Sequence, residues 1–129
     1  MGRSTGAYDD GGGEQEDVFA AIDFLKGRDQ GMMKIDLAGY SFGTWVIARM
    51  IQKAVVDRVI MVSPPAAMMP FDDTIFIPQL KLVVTGSKDE FAPPALVESL
   101  VQQWQPQAAI EIIDGADHFF LDIRTDWTI

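Results

Sequence analysis

The stretch KIDLAGYSFGTWVIARMIQK, residues 34–53, joins a short apolar run, a glycine-flanked serine and a longer apolar segment. Lys34–Ala38 is short and bounded by turn-forming residues, which predicts a buried strand. Phe42–Lys53 is apolar on nearly every side, which predicts a central and well-covered helix. Between them, residues 39–43 (GYSFG) fit the pattern G-x-S-x-G. The stretch therefore predicts a strand, a tight turn that carries Ser41, and a helix.

Apolar runs and helical periodicities alternate outward from this stretch. Further strands are predicted at residues 57–62, 80–85 and 108–113, and helices at residues 14–27, 93–104 and from Phe119 onward. Residues 1–13 are rich in glycine and are interpreted as a loop, and residues 66–79 as an irregular, cap-like excursion over the site. Alternating strands and helices favour parallel strands joined by right-handed crossovers. The predicted fold class is α/β, with about four parallel strands and helices on both faces.

Composition and charge exclude several classes of protein. The 129 residues suit a single domain, 1–129, and a hydrophobic fraction of 48% is incompatible with a disordered chain. A formal net charge of −9 disfavours nucleic acids and anionic membranes as partners. The chain has no cysteine, no apolar run of about 18 residues and no basic-then-apolar leader, so we expect a cytoplasmic protein. The acidic residues at positions 9–17 lack the spacing of a calcium loop, and neither a metal nor a cofactor is expected.

Ser41 stands where a nucleophile would be exposed. A sharp turn between a strand and a helix pushes the serine hydroxyl out at the carboxyl end of the sheet, and the flanking Gly39 and Gly43 leave room where side chains would collide. The amino end of the following helix brings backbone N–H groups and a partial positive charge to the same place. This combination predicts a serine nucleophile with a site for a developing oxyanion beside it.

A serine needs a base, and the base needs an orienting acid. His118 is the one histidine of the chain, and it follows the last predicted strand. Asp89 follows the strand before that, so both lie at the edge of the sheet that carries Ser41. Glu90 and Asp117 compete for the role of the acid, but Asp117 adjoins His118 in sequence, which usually directs its side chain elsewhere. Asp89 is therefore the favoured acid, in the order Ser–Asp–His.

The chain resembles the α/β-hydrolase superfamily in this motif and in the order of these residues. Within it, residues 2–9 (GRSTGAYD), Gly13-Glu14 and Asp17 are similar to a group of small uncharacterised bacterial hydrolases. The resemblance implies that Ser41, Asp89 and His118 are the nucleophile, acid and base, and that the Phe42 amide is an oxyanion donor. It also implies acyl transfer from a small ester-type substrate to water.

One departure from the family pattern bears on activity and assembly. The family's sheet normally begins with further strands, whose loop supplies the second oxyanion donor, and residues 11–13 (GGG) do not replace that loop. The strand at residues 34–38 would then have an open edge, and such edges pair readily with another chain. We therefore expect a homodimer joined through this edge.

The sequence leaves three candidate functions: a carboxylesterase, a weak or inactive fragment that serves as an assembly module, or a thioesterase or acyl-peptide hydrolase.

Overall fold

The computed structural model describes residues 12–29 and 34–119, which form one sheet and the helices packed on it. The four strands are β1 (Asp36–Tyr40), β2 (Arg58–Val62), β3 (Leu80–Gly86) and β4 (Ala109–Ile113). The three α-helices are α1 (Gly12–Asp29), α2 (Phe42–Met50) and α3 (Pro94–Trp104), and a 3₁₀ turn, Ile51–Lys53, follows α2. The strands lie in the order β1-β2-β3-β4, and every neighbouring pair is parallel. The predicted α/β class, with about four parallel strands and helices, is confirmed.

The ends of several elements differ from the prediction by one or two residues. β1 starts and ends two residues later than predicted, because its ladder with β2 runs from the Asp36–Arg58 pair to the Tyr40–Val62 pair. α2 tightens into a 3₁₀ turn over the last three predicted residues, as helix ends commonly do. α1 is two residues longer than predicted at each end, so residues 12–13 are helical rather than loop. The loop predicted at residues 1–11 and the helix predicted beyond Phe119 lie outside the described residues.

The two faces of the sheet are buried to different degrees. Val59, Met61 and Val83 are fully buried, whereas the alternating residues Ile60 and Val84 are only half-buried. All three crossovers advance along the sheet in the same direction. Right-handed crossovers of this kind place α2 and α3, which belong to the first and the third, on one face. α1 packs against α2, so the described helices share that face. Helices on the second face, which the sequence also predicted, are not among the described residues.

The irregular segment at residues 66–79 is anchored to the helices. The indole N–H of Trp45 in α2 donates to the Pro70 carbonyl at 3.0 Å, and that of Trp104 in α3 donates to the Asp72 carbonyl at 2.8 Å. Ile77 is fully buried, and its backbone N–H donates to the Trp104 carbonyl at 2.8 Å. These contacts hold residues 70–77 beside the helix layer. The sequence-based expectation of a cap over the site is therefore not supported for these residues.

None of the helices in the described ranges combines the length and the hydropathy that a bilayer span requires.

Candidate active site

Ser41 lies in a strained turn between β1 and α2. Its φ and ψ are 55° and −119°, a conformation that non-glycine residues rarely adopt and that is typically held at functional sites. Its backbone N–H donates to the Val62 carbonyl of β2 at 2.9 Å, and its carbonyl accepts the Thr44 hydroxyl at 2.7 Å. Bonds on both sides of the residue therefore hold the strained backbone in place and leave the side chain half-buried.

The two glycines of the motif play different parts. A Cβ at Gly39 would lie 2.8 Å from Ile47 Cδ1 and 2.9 Å from the Gly43 carbonyl carbon, so only glycine lets α2 pack this closely on β1. A Cβ at Gly43 would meet nothing within 4 Å. The steric reason given for both glycines from the sequence therefore holds at Gly39 and is wrong at Gly43.

His118 reaches Ser41 from the loop after β4. Its Nε2 lies 2.7 Å from Ser41 Oγ, although the two residues are 77 positions apart in sequence. The loop packs closely on the end of β3, because a Cβ at Gly86 would lie 2.1 Å from the Ala116 carbonyl oxygen. His118 is buried, with 5% of its surface exposed. The absence of a side chain at Gly86 is thus what admits the histidine loop to this position.

Asp89 completes a chain of hydrogen bonds. Both of its carboxylate oxygens lie 3.0 Å from His118 Nδ1. Oδ1 also accepts the backbone N–H groups of Phe91 at 3.0 Å and Ala92 at 2.8 Å. The side chain is fully buried, so these bonds offset the cost of removing a carboxylate from water. The structure therefore brings Ser41, His118 and Asp89 together in one hydrogen-bonded row.

The competing acids occupy other positions. Glu90 is exposed, next to Asp89 but outside the row. Asp117 accepts the Phe119 backbone N–H at 3.0 Å, a local contact that stabilises the turn carrying His118. Of the three candidate acids, Asp89 is the one whose carboxylate is hydrogen-bonded to the imidazole in the part of the chain that the structure describes.

Aromatic rings enclose the imidazole, and sequence reasoning did not single them out. The Tyr40 ring stacks on His118 with centroids 5.6 Å apart and 28° between planes, and Phe91 meets it at 4.9 Å and 79°. Phe119 lies at 5.2 Å and 88°. Tyr40 occupies the variable position before the serine of the G-x-S-x-G motif, which was the one available signal. Phe91 carries no sequence signal, because only the path of the loop brings it to the histidine.

Tyr40 also donates its hydroxyl to the His118 backbone carbonyl at 2.6 Å. Burial, and then the negative charges of Asp89 and Asp117, raise the pKa of the Tyr40 hydroxyl above its ordinary value of 10.0. Because an ionised phenol could only accept, this direction keeps Tyr40 a hydrogen-bond donor throughout the neutral pH range.

The predicted oxyanion donor lies at the start of α2. The Phe42 backbone N–H belongs to the first helical turn, whose N–H groups have no acceptor within the helix itself. The positive end of the helix dipole lies at the same point. No group of three or more His, Asp or Glu side chains in the described ranges is arranged to hold a metal ion.

Ser63 is a second unusual serine at this edge of the sheet. It follows β2, has a φ of 53° and is fully buried. Its hydroxyl is the one buried side-chain oxygen or nitrogen without a hydrogen-bond partner among the described residues. Neither its strain nor its burial is visible in the sequence.

Comparison with known proteins supports the fold. No family model matches the chain. An uncharacterised protein of Rickettsia prowazekii is 29% identical over 93% of the chain. An α/β serine hydrolase without a lid from Xanthomonas campestris superposes with a TM-score of 0.81 at 29% identity over 98% of the chain. An α/β serine hydrolase homologue from Coxiella burnetii gives a TM-score of 0.80 at 30% identity over 98% of the chain.

The chain has an α/β-hydrolase-like fold and represents part of it. It spans 54% of the length of the Rickettsia protein, 57% of the Xanthomonas protein and 61% of the Coxiella protein. The esterase domain of a Rhodothermus marinus protein shares the fold at 18% identity, with a TM-score of 0.64. The structural neighbours are thus hydrolases and esterases, and the fold is that of a hydrolase.

Proposed function

We propose that this chain carries the catalytic residues of a serine hydrolase that cleaves carboxylic esters. The single observation that supports the proposal most is the row of hydrogen bonds from Ser41 Oγ through the His118 imidazole to the Asp89 carboxylate. A buried row of this kind is what nucleophilic acyl transfer needs, because it couples proton removal from the nucleophile to a fixed imidazole.

The direction of proton transfer follows from the partners of the imidazole. An ionised carboxylate can only accept hydrogen bonds, so Asp89 favours the tautomer with the proton on His118 Nδ1. Nε2 is then left with its lone pair toward the Ser41 hydroxyl, 2.7 Å away. In this arrangement His118 is the general base, and Asp89 orients it and stabilises the imidazolium that forms.

The reaction proceeds by two acyl transfers. Ser41 Oγ forms a bond to the ester carbonyl carbon while its proton moves to His118 Nε2. The carbon–oxygen bond to the alcohol then breaks, and the alcohol leaves with the proton from Nε2. A water molecule then forms a bond to the acyl carbon while His118 Nε2 takes its proton. The bond from this carbon to Ser41 Oγ breaks, Oγ takes the proton back from Nε2, and the carboxylic acid leaves. The Phe42 N–H is proposed to donate to the oxyanion in both tetrahedral intermediates.

The rate depends on how many donors hold the oxyanion. Removing one donor from an oxyanion hole lowers turnover by about 10²–10³-fold. The Phe42 N–H is the one donor proposed among the described residues. If it alone holds the oxyanion, we expect low turnover with the nucleophile still activated.

The test compares the wild type with Ser41→Ala. Hydrolysis of p-nitrophenyl acetate and butyrate is followed by absorbance, and serine activation by covalent labelling with a fluorophosphonate probe. We expect both signals in the wild type and in Ser87→Ala, and neither in Ser41→Ala. Ser87 is the matched control, since it is an exposed serine that directly follows another strand of the sheet, β3.

Equal turnover and labelling in the wild type and Ser41→Ala would refute the proposal. Labelling without ester turnover would point to a different acyl substrate, such as a thioester or an acylated peptide. An unlabelled, well-folded chain would favour the assembly module.

A further inference from the structure

Tyr40 joins the strand that ends at the nucleophile to the loop that carries the base. It is the last residue of β1 and directly precedes Ser41. Its hydroxyl donates to the His118 backbone carbonyl across 78 positions of sequence. Resting on the proposed hydrolase function, we propose that Tyr40 is a positioning residue, which holds the His118 loop and ring so that Nε2 stays within reach of Ser41 Oγ.

The first contact fixes the backbone of the base. The hydrogen bond from the Tyr40 hydroxyl to the His118 carbonyl is short, at 2.6 Å. On the other side of the same peptide group, Asp117 accepts the Phe119 N–H at 3.0 Å. The peptide that follows the imidazole is therefore held at its oxygen by Tyr40 and at its nitrogen by Asp117. A shift of this backbone that carried the ring away from Ser41 would break the bond to Tyr40.

The second contact fixes the plane of the ring. Tyr40 stacks on the imidazole at 28°, while Phe91 meets it at 79°. Offset stacking and edge contacts are the favoured geometries of aromatic pairs, so each ring restricts a different tilt of the imidazole. Asp89 holds Nδ1, which leaves the ring with little freedom about the axis between Asp89 and Ser41. The phenol of Tyr40 thus supplies two separable restraints, a hydrogen bond and a ring face.

Positioning of this kind affects the chemical step more than substrate affinity. The imidazole must lie within hydrogen-bond reach of the hydroxyl that it deprotonates, and small misplacements of a reacting group are costly. A variant that loses the restraint should therefore lose kcat and leave KM nearly unchanged. Tyr40 is 45% exposed, so its replacement should leave the core intact.

The experiment separates the two restraints with Tyr40→Phe and Tyr40→Leu. Tyr40→Phe removes the hydrogen bond and keeps the ring, and we expect kcat to fall about tenfold with KM changed less than about twofold. Tyr40→Leu removes both, and we expect a fall of about 10²-fold. The matched control is Ser87→Ala, which removes a 2.8 Å hydrogen bond from the Gly115 N–H and so cuts a different link to the His118 loop, one that comes from the loop after β3.

A second readout uses the fact that the chain has one histidine. ¹⁵N-labelled histidine gives a single imidazole, whose Nδ1 proton should be visible by NMR and protected from exchange in the wild type. We expect slightly faster exchange of this proton in Tyr40→Phe, loss of the signal in Tyr40→Leu, and no change in Ser87→Ala.

Unchanged kcat together with an unchanged Nδ1 signal in both Tyr40 variants would overturn the proposal. An equal fall of kcat in Ser87→Ala would also overturn it, since the loss of any link to the His118 loop would then have the same effect. Absence of Ser41-dependent turnover in the wild type would refute the proposed function instead. The NMR comparison would still decide the role of Tyr40 in that case.

Discussion

Replacement of Asp89 by asparagine tests the row of hydrogen bonds at its buried end. The asparagine side chain would keep one oxygen to accept the N–H groups of Phe91 and Ala92, which Asp89 Oδ1 accepts at 3.0 and 2.8 Å. Its NH₂ group would then face the N–H at His118 Nδ1. Both groups are hydrogen-bond donors, so they cannot bond to each other. The imidazole would move its proton to Nε2 and could no longer accept the proton of Ser41. We expect kcat to fall about 10⁴-fold, as for a histidine held in the wrong tautomer.

The same substitution should leave the fold largely intact. Two charged hydrogen bonds become neutral ones, which costs roughly 1–2 kcal/mol of unfolding free energy. Asp89→Ala would instead leave both N–H groups unpaired in a buried site, at about 1–3 kcal/mol each. The total free energy of unfolding of a small domain is only about 5–15 kcal/mol. A loss of activity in Asp89→Ala could therefore come from misfolding as well as from the missing carboxylate.

The assay combines p-nitrophenyl butyrate hydrolysis with urea unfolding followed by circular dichroism. Glu90→Gln is the control, because it neutralises the exposed neighbouring carboxylate and should change kcat less than about twofold. If Asp89→Asn kept more than about a tenth of the wild-type kcat while folded, Asp89 would not be the orienting acid.

Three further outcomes follow from contacts outside the row. Gly86→Ala should destabilise the fold by about 1–3 kcal/mol and lower kcat more than about tenfold, because the added Cβ would displace the Ala116 backbone. Urea unfolding that matches the wild type would contradict this prediction. Ser63→Ala should be neutral or stabilising by up to about 1 kcal/mol in thermal unfolding, since it removes a buried hydroxyl without a partner among the described residues; a clear loss of stability would show that the hydroxyl is bonded. The proposed homodimer through β1 should sediment as a dimer at tens of micromolar and dissociate on Ala38→Pro; a wild-type monomer would refute it.

The proposed homodimer follows from the direction of the backbone groups in β1. The Ile35 carbonyl and the Ser41 N–H both bond toward β2, to Asp57 and Val62. Backbone groups alternate in direction along a strand, so those of Asp36 and Ala38 point away from β2. An apolar groove of about 220 Å³, lined by Val18, Leu37, Phe42 and Val46 among others, runs beside this edge. A second copy of the chain is the proposed occupant of that edge.

Sequence alone determined the class of fold and the three residues at the proposed centre. Apolar runs of strand length and helical stripes are local signals, and their alternation limits the topology to a parallel sheet. The carboxyl ends of parallel strands meet at one edge. Residues that directly follow different strands, such as Ser41, Asp89 and His118, could therefore be grouped before any distance was known.

Only the tertiary structure decided how these residues are held. The stacking of Tyr40 on the imidazole, the approach of Gly86 to Ala116 and the isolation of the Ser63 hydroxyl join or separate atoms from distant parts of the chain. Such contacts depend on loop paths and side-chain directions, which have no period in the sequence. The same holds for Gly43, where the motif suggested crowding and the space is open. Local patterns thus specified which residues meet, and packing set the distances and restraints between them.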